Sequence, residues 1–377
     1  MVLSEEHMII QDTVREFAEK EIIPVAEKMD REDYFPNDLF LKLGKLGMLG
    51  PTISKKYGGI GSDPLTQVLI TEELAKVSAG MALTCTAHSN LCAHNLYKNG
   101  NEPQCTEYLP SLCSGEKIGA LCITEPGAGS DAVGIQTLAV RDGDVYRLNG
   151  TKMFITNAPV ADTFVVYTKT DKAKGSRGIT AFIVERRFQG FSVPPKLDKM
   201  GHRGSPTSEV ILDNCTVPAK NILGKENNGV AVMMAGLDIE RVVVAALSLG
   251  IAGAALKASI RYSKERVQFG KPICKFQLIQ AKLADMYTSI EAARLMIYDV
   301  AIRSATETRL RKESAAAVLF AGEMATKVSL EAVQIHGDYG YMLEFPVNRY
   351  LRDSKFLEIG AGTSEIRRLL IARELLG

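Results

Sequence analysis

The spacing of apolar residues divides the chain into three zones, of which the first is helical. Between residues 4 and about 114, apolar side chains recur three or four positions apart, as in Ile10, Val14 and Phe17, and prolines and glycines interrupt the pattern. This period places the apolar residues on one face of a helix. The first zone therefore predicts a set of packed helices.

In the middle zone, from about 117 to 225, the apolar period shortens. The runs are VYRLNGTKMFI, TFVVYTKT, GITAFIVE and SEVILD, which are rich in β-branched and aromatic residues. Asp142 and Gly143 separate two such runs and predict a two-residue hairpin turn. Parallel strands need crossover connections, usually helical, and no helical pattern of useful length separates these strands. We therefore expect an antiparallel sheet or a small barrel.

The third zone, from about 227, returns to the helical period with longer helices. One apolar stripe runs through Leu283, Met286, Tyr287, Ile290, Ala293, Ile297 and Val300. The run 242–256 is apolar on nearly every side, which suits a helix buried in a bundle. This run is shorter than the roughly eighteen residues expected of a membrane span.

These zones predict an α+β multidomain fold without a membrane segment. We expect an N-terminal helical domain over 1–116, a middle antiparallel β domain over 117–226 and a C-terminal four-helix bundle over 227–377.

The charge of the chain excludes two classes of partner. Its 377 residues include 45 Lys and Arg and 44 Asp and Glu, a formal net charge of +1. Nucleic acids and anionic membranes attract proteins through a concentrated basic surface. We therefore expect neither partner and look for a small-molecule site.

Cysteine usage and the N-terminus both indicate an intracellular protein. The seven cysteines are scattered and form no C-x-x-C pair, so neither a disulfide framework nor a metal site is predicted. The first 19 residues carry five acidic side chains, whereas transit peptides are acid-poor and signal peptides need an apolar run. We expect a bacterial cytoplasmic protein or a mature mitochondrial matrix protein.

Glycines cluster at the opening of the β zone, in CITEPGAGSD. Gly127 and Gly129 let a backbone approach an anion closely and Ser130 offers a hydroxyl, so the stretch is either a phosphate cradle or a plain surface turn. It is not a dinucleotide fingerprint, which needs G-x-G-x-x-G within a βαβ unit.

Three further motifs carry candidate chemistry. In KMFITN, Phe154 and Thr156 share a strand face, where they could contact a flat ring or simply pack in a core. ERVQFGKPI places Arg266 in a loop between long helices, which suits phosphate or adenine binding or a solvated turn. EIGAGTSEIRR puts three small residues before a helix start, either as room for a ligand or as a simple cap.

Taken together, these motifs resemble the acyl-CoA dehydrogenase family over essentially the whole chain. The matching stretches are CITEPGAGSD, FITN, RVQFGKPI with Gln277, QIHGDYGYM and GTSEIRRLLIARELL, in the order of the family. The fold of that family is the same helical, β and four-helix arrangement that the apolar periods predict.

The resemblance implies FAD as cofactor. It implies flavin contacts from Thr124, Ser130, Phe154, Ile155 and Thr156, with Phe154 stacked on the flavin ring. The adenine half would be held partly by a neighbouring subunit, which implies an oligomer, usually a homotetramer. The residues implied there are Arg266, Gln277, Gln334, Gly337, Thr363 and Glu365.

The reaction implied is removal of the α proton of a thioester by a base while the β hydrogen leaves as hydride to the flavin. Most relatives carry the basic Glu where this chain has Ala361. The isovaleryl-CoA type instead carries it in a Gly-Leu-Asp-x-Glu-Arg motif, and GLDIER assigns the base to Glu240. A helix carboxylate beside Arg241 would otherwise be an exposed surface group. Here the apolar run begins directly after it, and burial would raise its pKa toward neutral pH.

The resemblance also implies a substrate class. AHSNLC and GLDIER are most like the isovaleryl type, but Cys85 and Val244 stand where that type has Tyr and Leu, which enlarges the pocket, and Ala231 replaces a Tyr along the CoA chain. We expect a short branched acyl-CoA, with a cyclic carboxylic acid thioester as the alternative. The residues implied near the substrate are Ser130, Ser176, Arg177, Asp238, Arg241, Val244, Ala361 and Gly362, where the Ala361 N–H would donate to the thioester oxygen.

Two other function classes fit parts of this pattern. An acyl-CoA oxidase would share the fold and the base but pass electrons to oxygen, and such relatives are usually much longer. A non-catalytic CoA-ester binding protein would lack the base or the flavin. A dehydrogenase of this family would hand its electrons to electron-transfer flavoprotein.

Overall fold

The first part of the protein is a layer of helices. The structure, a computed structural model, describes residues 3–307 and 310–377, and for residues 236–239 it describes the helical backbone only. The helices are α1 (Glu5–Phe17), α2 (Ile23–Glu32), α3 (Asn37–Lys45), α4 (Pro64–Val77), α5 (Ala79–Thr86), α6 (Asn95–Asn99) and α7 (Glu102–Cys113). Wider π-helical turns at Ala18–Ile22 and Ala87–His94 connect some of them, and the second contains the AHSNLC stretch.

Side-chain caps explain why several of these helices begin where they do. The Asp63 carboxylate accepts the backbone N–H of Thr66 at the start of α4. Asn101 and Gln104 form a reciprocal capping box at the start of α7. Such caps satisfy N–H groups that have no partner within the helix.

The middle part is a twisted mixed sheet. Its strands are β1 (Gly119–Cys122), β2 (Leu138–Asp142), β3 (Val145–Thr156), β4 (Thr163–Lys169), β5 (Ile179–Glu185), β6 (Phe191–Ser192), β7 (Thr207–Pro218) and β8 (Ile222–Leu223). They lie in the order β6-β7-β3-β2-β4-β5-β8, and β1 pairs with β4. The predicted hairpin joins β2 to β3, but its two loop residues are Gly143 and Asp144, because Asp142 still pairs with Val145.

The prediction of a purely antiparallel sheet is wrong in two pairings. β1 runs parallel to β4 over four residue pairs, and β2 is parallel to β4 at Leu138 and Lys169. The crossover from β1 to β4 consists of the glycine loop and the β2–β3 hairpin. A parallel pairing therefore forms here without the helical crossover on which the prediction relied.

The last part of the protein is dominated by long helices. These are α8 (Gly229–Glu265), α9 (Gln277–Arg303), α10 (Arg311–His336), α11 (Asp338–Tyr341), α12 (Val347–Phe356) and α13 (Ser364–Leu376), with a short ribbon of β9 (Val267–Gln268) and β10 (Lys271–Pro272) after α8. On α9 the predicted stripe is buried at Met286, Ile290 and Ala293, but Tyr287 faces outward with 59% of its surface exposed. Tyr287 lies about 100° around the helix from Met286, which turns it away from the core.

Helix α8 forms the centre of the apolar core. Every residue of its run from Val242 to Leu256 is buried except Gly253, which is half-buried. Among the residues that the structure describes, α8 is the one helix long and apolar enough to pass a test for a membrane span. Because 78% of its most apolar window is buried inside the protein, packing in the core accounts for that composition.

A buried ion pair joins the N-terminal helices to the C-terminal bundle. Glu72 on α4 is fully buried, and its carboxylate accepts hydrogen bonds from the guanidinium of Arg294 and the hydroxyl of Tyr298, both on α9. Burial alone would raise the pKa of Glu72, but Arg294 and Lys76 hold it below its usual value. Removing Arg294 would take away the closest positive charge and leave Lys76, at 3.4 Å, and the Tyr298 hydroxyl as the remaining partners of the buried carboxylate.

We therefore expect Arg294→Met to destabilise the protein by about 3 kcal/mol, the cost typical of breaking a buried pair. The measurement is the thermal unfolding midpoint of the holoprotein. Arg303→Met is the matched control, because Arg303 lies on the same helix but pairs with Asp299 and Glu307 at the surface. Equal melting temperatures for the two variants would contradict the assignment of this pair as a structural link.

Candidate active site

The glycine loop and the FITN segment come together beside β1. The Met153 amide donates to the Thr124 carbonyl at 2.8 Å, which places Thr124 next to the end of β3. A β-bulge between Lys152 and Ile155 interrupts the pairing of β3 with β7 there. A bulge re-aims the side chain it carries.

Phe154 sits in this bulge in a strained, exposed conformation. Its φ is +59° and 63% of the residue is exposed, although a phenylalanine ordinarily avoids both. Thr156 is half-buried two residues on. The side chain of Ile155 is buried in the core, so only its backbone remains available to a ligand.

The glycine loop borders open space. A Cβ atom added at Gly127 or Gly129 would meet no atom within 4 Å among the described residues, and Ser130 is exposed beside them. A displayed aromatic ring next to an open, glycine-lined loop fits a cofactor with a flat ring and a pyrophosphate, as FAD has.

A buried ion pair that the sequence reasoning missed holds this loop. Lys152 is fully buried and donates to the Glu125 carboxylate at 2.8 Å and to the Ile123 carbonyl at 3.1 Å. Glu125 also accepts the backbone N–H groups of Gln136 at 2.6 Å and Thr137 at 3.0 Å. The pair thus closes the loop at both ends. In the sequence, the signal for this pair is that Glu125 lies in CITEPGAGSD and Lys152 lies in KMFITN.

Glu240 is a buried carboxylate. Only 5% of the residue is exposed, and its Oε2 atom has no hydrogen-bond partner within the described part of the chain. Burial raises the pKa of Glu240 to about 7, although the positive charges of Arg241 and Arg367 act to lower it. A carboxylate that is half-ionised at neutral pH and free at one oxygen is suited to take up a proton.

The two small residues that the resemblance implies near the acyl group lie on different helices. Val244, one turn further along α8, is buried, and so is Cys85 on α5. Arg241 is also buried. The predicted contact Asp238 lies outside the residues whose side chains are described.

The loop before α13 has an unusual backbone. Ala361 has φ of +56° and Gly362 of +92°, and Thr363 caps the helix by accepting the Ile366 N–H. A left-handed alanine is strained, so surrounding contacts must hold it. Arg367, which the sequence reasoning did not single out, donates to the Leu357 carbonyl at 2.8 Å and the Gly360 carbonyl at 2.7 Å.

The residues predicted to contact CoA and the adenine half of FAD lie in separate places within the single chain. Ser176 and Arg177 are exposed in the 3-10 turn Lys172–Gly178. The Arg266 guanidinium lies 5.6 Å from the centre of the Tyr339 ring, close to Gly337.

The other four predicted adenine contacts lie at helix ends. Gln334 lies next to Gly337, whose N–H it accepts at 3.2 Å. Gln277 is exposed at the start of α9, and Thr363 and Glu365 lie at the start of α13. Among the described residues, no hydrogen bond or ion pair joins the group of Arg266, Gln334 and Gly337 to Gln277 or to the start of α13.

A groove of about 640 Å³ lies apart from all of these residues. It runs between α1, α2, the end of α4 and the middle of α8, and basic and acidic side chains both line it. None of the predicted site residues borders this groove.

Comparison with known proteins assigns the chain to a family. Models of the acyl-CoA dehydrogenase N-terminal, middle and C-terminal domains match residues 4–116, 120–215 and 227–376. The chain is 48% identical to a mitochondrial isovaleryl-CoA dehydrogenase of Solanum tuberosum, over 97% of this chain and 89% of that protein.

Solved structures agree with this assignment. A butyryl-CoA dehydrogenase of Megasphaera elsdenii superposes with a TM-score of 0.98 at 43% identity, covering all of both chains. A chain in the structure titled as the electron transferring flavoprotein of Acidaminococcus fermentans superposes with a TM-score of 0.98 at 44% identity, covering 100% of this chain and 99% of that one. The chain therefore belongs to the acyl-CoA dehydrogenase family, whose members are FAD-dependent oxidoreductases.

Proposed function

We propose that this protein oxidises a short branched or cyclic acyl-CoA to the 2-enoyl-CoA, with Glu240 as the base that removes the α proton. The observation that carries the proposal is the state of Glu240, a buried carboxylate with one free oxygen and a pKa near neutrality. A carboxylate at the surface would keep a lower pKa and would be a weaker base.

In the proposed reaction each of these residues has a separate role. Glu240 takes the α proton, and the Ala361 N–H stabilises the negative charge that develops on the thioester oxygen. Bound FAD supplies the acceptor for the hydride that leaves Cβ. Phe154 and the open loop at Gly127 and Gly129 would hold the flavin and its phosphates.

The preference for a branched or cyclic acyl group rests on small side chains near the base. Ala361 replaces a glutamate at one side of the site, and Val244 and Cys85 are small buried residues on α8 and α5. The family includes relatives named for isovaleryl-CoA and for butyryl-CoA, so family membership alone leaves the acyl group open. The small side chains at these positions are our reason for proposing the bulkier group.

We further propose electron-transfer flavoprotein as the electron acceptor and a homotetramer as the assembly. The first is supported by the similarity to a chain in a structure named for electron transferring flavoprotein. The second is supported by the separation of the group around Arg266 from the group at Thr363 and Glu365, which no hydrogen bond or ion pair joins within the described part of one subunit.

Glu240→Gln tests the base. We expect the variant to keep bound FAD, because the amide has nearly the same volume, but to lose substrate-dependent bleaching of the flavin absorbance, because an amide cannot take up the proton. Anaerobic titration with isovaleryl-CoA measures the bleaching. Glu32→Gln, an exposed helix position, is the control and should bleach normally. Normal bleaching by Glu240→Gln would refute the assignment.

The pH dependence of kcat/KM is a second test. The ionised form of Glu240 is the active one, and its pKa in the folded protein is raised to about 7. We therefore expect kcat/KM to be constant at alkaline pH and to fall as the pH drops through about 7. An acid limb near the usual glutamate value of 4.5 would contradict the buried-base interpretation.

A substrate panel tests the acyl group. We expect kcat/KM for isovaleryl-, 2-methylbutyryl- or cyclohexanecarboxyl-CoA to exceed that for butyryl-CoA by roughly tenfold or more, the lower end of what one methylene contributes in an apolar pocket. Val244→Leu should reduce this preference by filling the pocket, whereas Val140→Leu, on an exposed strand position, should not. A preference for butyryl-CoA would overturn the pocket argument.

A further inference from the structure

Arg367 is a buried arginine whose surroundings are mainly backbone carbonyls. Only 2% of the residue is exposed, although it lies on α13, the last helix of the chain. Its Nη1 and Nη2 atoms donate to the carbonyls of Leu357 and Gly360, and its Nε has no hydrogen-bond partner among the described residues. Burying a guanidinium is costly, so its position needs a reason.

One of these two bonds acts directly on a functional peptide group. The carbonyl of Gly360 and the N–H of Ala361 belong to the same planar peptide unit, on opposite sides of it. A donor that fixes the carbonyl oxygen therefore fixes the direction of the Ala361 N–H. The positive charge of the guanidinium that bonds to this oxygen also polarises the amide and makes its N–H a stronger donor.

Neighbouring residues are shaped to allow this contact. A Cβ atom at Gly322 on α10 would lie 2.7 Å from the Leu357 carbonyl oxygen and 3.4 Å from Arg367 Nη1. Glycine at this position therefore leaves the space in which Arg367 reaches the loop. The strained φ of Ala361 shows that the loop does not adopt this shape without support.

The same guanidinium also lies in the electrostatic field of Glu240. The charged and titratable groups that act on Glu240 are Arg241 on its own helix, Arg367 from α13 and Tyr167 from β4. Arg367 is in turn affected by Glu323 on α10 and Glu358. The arginine remains protonated at neutral pH, because burial lowers its pKa only to about 10.

We propose that Arg367 is a positioning residue that, through its bond to the Gly360 carbonyl, aims the Ala361 N–H at the thioester oxygen, and that its buried positive charge also acts on the base Glu240. This inference rests on the proposed function, since it deepens the same site. Arg367 acts through the Gly360–Ala361 peptide and through Glu240. It is not assigned a contact with substrate.

The test compares Arg367→Met, Arg367→Lys and Arg368→Met as FAD-bound proteins. Arg368 is the matched control, because it is the next residue on α13 but is half-exposed and paired with Glu323. We expect Arg367→Met to lower kcat on the order of 10- to 100-fold, somewhat less than the loss of a whole oxyanion donor. We also expect the acid limb of its kcat/KM profile to move above pH 7, because the charge that lowers the pKa of Glu240 is gone.

Arg367→Lys separates the two roles. Lysine keeps the charge but lacks the forked pair of donors, so the acid limb should stay near that of the wild type while kcat falls. If Arg367→Met does not fold with flavin, this variant still decides the proposal. A wild-type kcat in Arg367→Lys would then overturn it.

The carbonyl stretching frequency of bound substrate reports on the hydrogen bond from the Ala361 N–H separately from activity. In Glu240→Gln, which should bind substrate without turning it over, the carbonyl stretch of a 13C-labelled isovaleryl-CoA should shift to lower frequency than in water. In Glu240→Gln with Arg367→Met or Arg367→Lys, most of that shift should be lost. An unchanged carbonyl frequency with an unchanged acid limb would overturn the proposal, as would activity loss that only follows loss of FAD.

Failure of this inference is distinguishable from failure of the proposed function. If the wild type is not bleached by any acyl-CoA of the panel, the proposed function fails. If the wild type bleaches and Glu240→Gln does not, but the Arg367 variants keep the wild-type pH profile and carbonyl frequency, only the role of Arg367 is refuted.

Discussion

The burial of Glu240 is the constraint on which the rest of the site depends. An ionised carboxylate in an apolar surrounding is unfavourable unless it is paired, and the protein responds with a raised pKa and with nearby positive charge that limits the rise. This arrangement needs a rigid apolar helix to hold the carboxylate in place. The fully buried part of α8 that begins at Val242 meets that need, because it packs on all sides.

Backbone strain at the site is held by buried polar side chains. Asn157 has φ of +70°, and its side-chain amide donates to the carbonyls of Thr84 at 3.0 Å and Gly119 at 3.1 Å. Ala361 is held in the same way by Arg367. In both places a buried side chain donates to backbone carbonyl oxygens, and removing the side chain would take those hydrogen bonds away. The shape of the site therefore depends on these few bonds.

The periodicity of the sequence was sufficient for the architecture, because helical and strand periods follow from burial on one face. The glycine loop and the FITN segment were located by their residue types. Periodicity did not reveal the parallel pairing of β1 with β4, because strand partners far apart in sequence leave no periodic signal. It likewise missed the buried charges Lys152, Glu125 and Arg367. Charged residues are usually exposed, and only tertiary contacts distinguish the buried ones.

The near-neutral net charge of the chain limits how the protein can attract an anionic ligand. With a formal net charge of +1, the protein has no overall field that would attract an anionic ligand such as CoA or FAD. Several basic groups near the site are buried, and Lys152 and Arg367 bond to the protein itself. Under the proposed function, attraction of phosphates would fall to exposed groups such as Arg177 and Arg266 and to the open glycine loop. The buried charges would then shape the backbone and tune the proposed base, and the exposed charges would contact the ligand.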